Sequence, residues 1–107
     1  MTDDLAAFIA ACSSLATSPE LHRYRTEEWK SNIEKVSFYK ARVALRLNPL
    51  REVDADINST ANALANMLAN PDKHFNLPKK SLDLINQFPD QLARWKAVTW
   101  SDGRANF

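Results

Sequence analysis

At 107 residues, with a formal net charge of +1 and 45% hydrophobic residues, the chain suits one domain with one core. No apolar run approaches the ~20 residues of a membrane span, and Asp3 and Asp4 stand where a signal peptide would be basic. The lone Cys12 excludes an internal disulfide and points to a reducing, cytoplasmic setting, while one Gly and no hairpin dipeptide exclude a strand-rich fold.

Thr2 is placed to cap a first helix, with Asp3 and Asp4 in its first turn complementing the helix dipole. Leu5, Phe8, Ile9, Cys12 and Leu15 recur at helical spacing, so one face packs inward and the segment should fray near Ser18. On that face Cys12 reads as a small buried hydrophobe.

Thr17, Ser18 and Pro19 read as the start of a second helix, with Glu20 in its first turn, running to about Asn48 ahead of Pro49. One apolar seam comprises Trp29, Ile33, Val36, Val43 and Leu47, with Tyr39 at its edge; a narrower one comprises Phe38, Ala41 and Leu45. A helix with two apolar seams needs neighbours on both, which predicts a place at the centre of a bundle. Asn48 is expected to cap the next helix, with Pro49 at its first position; a kinked continuation is the alternative.

The charge is uneven. Lys35 to Arg51 holds five basic residues (Lys35, Lys40, Arg42, Arg46, Arg51) and no acid, whereas the preceding residues hold three basic and six acidic. Lys35, Arg42 and Arg46 stack along one line of the helix at spacings of seven and four. Two readings stand: a solvated face whose long side chains snorkel beside the core, or a face that binds anions, for which the planar arginine fork is well suited.

Leu50 to Ala69 should form the third helix, with Leu50, Val53, Ile57, Ala61, Leu64 and Leu68 as its stripe. Elsewhere on it Asn58, Asn62 and Asn66 recur every four residues, with Asn70 at the end. Asn is a mediocre helix former, so this row reads either as a polar exposed face or as a hydrogen-bonding contact for a protein partner.

Asn70-Pro71-Asp72 reads as a turn. A fourth helix then opens at Pro78 with Lys79 and Lys80 in its first turn, cations that oppose the dipole unless an anion sits there and that are otherwise solvated. Its inward side is Leu82, Ile85 and Phe88. Pro89 and Asp90 restart the chain, and Leu92, Trp95, Val98 and Trp100 line a last helix. Trp95, between Arg94 and Lys96, reads as core or as a surface for stacking a base. A tail is expected over 100–107.

The fold expected is therefore all-α, a compact bundle of four to five helices in a single domain, 1–107. Nothing in the chain predicts an enzyme, a cofactor or a metal. His22 and His74 lack the paired spacing of zinc ligands, Gly103 alone builds no phosphate loop, and neither Asp54/Asp56 nor Glu27/Glu28 share a helix face.

Two functional classes follow. In the first, Lys35, Arg42 and Arg46 hold a nucleic-acid backbone without sequence preference, with Lys40, Arg51, Lys79 and Lys80 as outer contacts, inside a larger assembly. By length, all-helical plan and the Lys35/Arg42/Arg46 stripe, the chain resembles the small subunit of Cascade-type CRISPR effector complexes. That resemblance implies a compact antiviral-defence bundle that binds DNA or RNA, holding the target or displaced strand through a basic face beside other protein subunits, self-association included. This class requires the guanidinium groups of positions 42 and 46 to be free of carboxylates of their own chain. In the second class the protein is a small helical adaptor or inhibitor, of the immunity, antitoxin or phage-inhibitor type. Its Asn58/Asn62/Asn66 face touches another protein, and its arginines meet acidic residues there.

Overall fold

The computed structural model describes residues 2–17, 27–70 and 77–105, without the side chains of Thr17, Leu77, Pro78 and residues 100–105. The expected helix start at Pro19, the turn at Pro71, the side chains of His22, His74 and Trp100, and Phe107 lie outside what it describes. The described residues form five helices and no strand: α1 Thr2–Thr17, α2 Glu27–Leu45, α3 Glu52–Ala69, α4 Leu77–Ile85 and α5 Phe88–Ala105. The bundle is all-α, as the periodicity predicts. The stretch from Ser101, expected as tail, continues α5 as far as Ala105.

The first helix turns Leu5, Phe8, Cys12, Leu15 and Ala16 inward, all buried. They meet Trp29, Val36 and Val43 of α2, Ile57, Ala61, Leu64 and Leu68 of α3, and Phe88 at the start of α5. Phe8 and Phe88 pack edge to face, ring centroids 6.2 Å apart and planes at 88°, an arrangement aromatic quadrupoles favour. Between α3 and α5 the buried Gln91 donates from Nε2 to Thr60 Oγ1 at 2.8 Å, a polar tie inside an otherwise apolar contact. Trp95 packs against the core, as one of its two readings has it.

Several expectations are corrected. The central helix is α3, which packs against all four others, and not α2, which packs on α1 and α3. The molecule is 52 Å long but only 22 by 19 Å across, about two helix diameters, so every helix keeps an outward side. On α2 that side is the second seam: Phe38 is 55% and Leu45 86% exposed, and Ala41 is exposed beside them.

The third helix begins at Glu52, two residues after the expected start. Asn48 builds a turn in place of a helix cap: its Oδ1 accepts the Leu50 N–H at 2.9 Å, while its own N–H donates to Asp54 Oδ2 at 2.6 Å. That turn spends Pro49 and Leu50 outside the helix and leaves Leu50 92% exposed, out of the stripe. In α4 the buried position is Ser81, whose lack of bulk allows close approach, and Leu82 is turned outward. In α5, Val98 lies at the solvent edge of the line begun by Leu92 and Trp95.

Candidate interaction surface

The cationic ridge of α2 is built as its spacing predicts, but its arginines are already engaged. Arg42 lies in the last turn of α2 and Arg46 in the turn just past its end, four residues on, and both reach the same side. The N-terminal turn of α1 lies against them, and Asp4 divides its carboxylate between the two. Arg42 Nε reaches Oδ1 at 3.0 Å and Arg46 Nε reaches Oδ2 at 2.8 Å. The Asp4 side chain is only 13% exposed beneath them. Desolvation there raises its proton affinity, but the Arg42 hydrogen bond and the charges of Arg42 and Arg46 outweigh it and hold the carboxyl below its ordinary value. The Arg42 guanidinium also lies 5.6 Å from the centre of the Phe38 ring, at cation–π range.

The expectation of an unpaired ridge is thereby corrected. Two of its three members share one carboxylate, so the pair presents one net positive charge where two were expected. Sequence reasoning placed Asp4 only as a partner of its own helix dipole. The signal for a second role was the acidic excess of the first 34 residues set against the basic run after it.

The other cations are dispersed. Lys35 is exposed and Lys40 half-buried on α2. Arg51 turns inward, its Nε 3.6 Å from the buried Asp54 and an Nη donating to Thr99 Oγ1 of α5 at 3.1 Å. It ties the α2–α3 turn to the bundle. Lys79 and Lys80 are exposed in the first turn of α4, whose packing partners are α1 and α3. Arg51 at least is withdrawn from the surface that the seven predicted cations were expected to share.

What α2 and α3 form together is a groove of about 350 Å³. Its α2 wall is Ser37, Lys40, Ala41 and Ala44; its α3 wall is Asn58, Asn62, Ala65, Asn66 and Ala69. The alanines create the space, since methyl groups at those four positions leave the two helices touching only through deeper residues. The predicted asparagine row is one wall of this groove. Asn at a helix interior position costs up to about 0.7 kcal/mol relative to Ala. No internal hydrogen bond of the Asn58 or Asn62 carboxamide offsets that cost among the described residues. Lys40 is the one charged residue of the lining.

The uncovered seam adjoins this groove, because Ala41 belongs to both. Phe38, Ala41 and Leu45 form an apolar strip beside an asparagine-walled trough, with Lys35 and Arg42 along one border.

Among the described residues no three His, Cys, Asp or Glu side chains stand close enough to hold a metal ion. Cys12 is buried, and burial pushes its thiol up to about 12, which leaves roughly a thousandfold less thiolate at neutral pH than an ordinary cysteine has. A maleimide should therefore label Cys12 only after denaturation; rapid labelling of the native protein would show that the α1 face is open. No helix of the described residues is long and apolar enough to cross a membrane. No family model, no curated protein and no solved structure matches the chain.

Proposed function

We propose that this chain is a non-catalytic helical protein-binding module, an adaptor or inhibitor. Its α2 seam and α2–α3 groove would receive an apolar, acidic segment of a different protein. The observation that carries this reading is the exposure of Phe38 and Leu45 on a helix whose other seam packs into the core. Covering Phe38 and Leu45 would gain on the order of 3–5 kcal/mol before the costs of association. Such a patch, bordered by charge, is what protein contacts use.

Charge complementarity sets the partner's chemistry. Lys35, Arg42 and Arg46 run beside the strip and Lys40 lines the groove, and among the described residues Asp4 is the carboxylate paired to the arginines. A second copy docked on this strip would set like charges against each other, whereas carboxylates flanking an apolar segment would be drawn in. The strand-holding alternative keeps Lys35, Lys40, Lys79 and Lys80 but loses its support at 42 and 46.

The test is a photo-crosslinking phenylalanine analogue in place of Phe38, irradiated in cells that natively make the chain. The expected product is an adduct to one other protein, lost when Leu45→Asp is added and absent when the analogue replaces exposed Asp83. Adducts to nucleic acid, to a second copy, or to nothing would overturn the proposal.

A further inference from the structure

We infer that the α2–α3 groove holds its partner as an extended segment, with Asn58, Asn62 and Asn66 gripping the main chain and Lys40 a carboxylate. The inference rests on the protein-binding reading and adds the conformation and chemistry of what is bound. A carboxamide offers both donor and acceptor, so it can pair with both the N–H and the C=O of a peptide. Asparagines four apart on a helix rise about 6 Å per step. Alternate residues of an extended chain rise about 6.8 Å. The mismatch accumulates to roughly 1.6 Å over the row, within reach of a side chain with two rotatable bonds.

A helical ligand would not use this row, because its main-chain groups are already bonded within the helix. Among the described residues the carboxamides of Asn58 and Asn62 are not committed elsewhere, whereas that of Asn70 is taken up by the Asn66 carbonyl. Ala44 and Ala65, which face the groove, are short enough for a backbone to come close. With Lys40 as the one charge of the lining, an acidic side chain is the complementary one.

Random dodecapeptides displayed on phage and selected against the full chain provide the probe, the best one then being synthesised. The expected result is an acidic sequence of low helix propensity. Its affinity should fall at least tenfold with Asn62→Leu, with Lys40→Glu, or when its own amides are N-methylated, with the helical circular dichroism of the variants unchanged. If Phe38→Glu abolishes binding while Asn62→Leu and N-methylation leave it intact, the protein-binding surface stands and the main-chain grip is overturned. If no peptide is selected, the grip is overturned too, and the crosslink from position 38 decides the broader proposal separately. Peptides indifferent to all of these changes would count against both.

Discussion

Replacing Phe8 by Ala should cost about 3–5 kcal/mol, the range for deleting a fully buried aromatic ring. Phe8 has no exposed surface, and its edge-to-face contact with Phe88 joins α1 to the first residue of α5. The cavity would open between two helices far apart in sequence, where neither can collapse inward without disturbing α3. A small domain has only some 5–15 kcal/mol to lose, so the variant should sit near its unfolding midpoint at modest denaturant. Urea unfolding checks this: the midpoint should fall sharply with the slope unchanged. A shift worth less than about 1 kcal/mol would mean that the ring is not in the core.

Asp4→Asn should have the second large effect, on what the surface attracts. The substitution removes one carboxylate and releases two guanidinium groups half in solvent. Binding to a single-stranded oligonucleotide should become measurable. The slope of log affinity against log salt for the variant should reach about −1.4, or −0.7 for each of two phosphate contacts. A variant that binds no more strand than the unmodified chain would mean that Asp4 does not neutralise the ridge.

The same pair sets an acid dependence. Because the folded state holds the Asp4 carboxyl below its ordinary value, its stabilisation is fully present above that ordinary value, near pH 4. It is lost as pH falls through the lower, folded value. The Asn variant should show a flatter stability profile below about pH 4.

The legible parts of this protein were those governed by local period. The stripe Ile57–Ala61–Leu64–Leu68 and the inward face of α1 follow from helical spacing, and each lies where spacing puts it; the start of α4, read from Pro78, falls one residue earlier at Leu77. What the sequence concealed was long-range. Phe38, Ala41 and Leu45 have the spacing of a buried seam, and nothing local reveals that none of the described helices covers them. Asp4 and Arg42 are 38 residues apart, and only antiparallel packing of α1 on α2 brings them together. Leu50 left its stripe because the backbone N–H of Asn48 found the Asp54 carboxylate, a contact a periodicity count does not weigh. The asparagine row was visible as an oddity, but the alanines that make it one wall of a groove acquire that meaning only once two helices are paired.

Whether the outward side of α2 is meant for protein or for phosphate is tested most directly by fluorescence anisotropy of a labelled single strand against the unmodified chain at low salt. With both guanidiniums held by Asp4, no saturable binding is expected up to roughly 100 µM, the weak end of non-specific nucleic-acid affinity. Tighter binding that falls steeply with salt and disappears in Arg42→Glu/Arg46→Glu would contradict it.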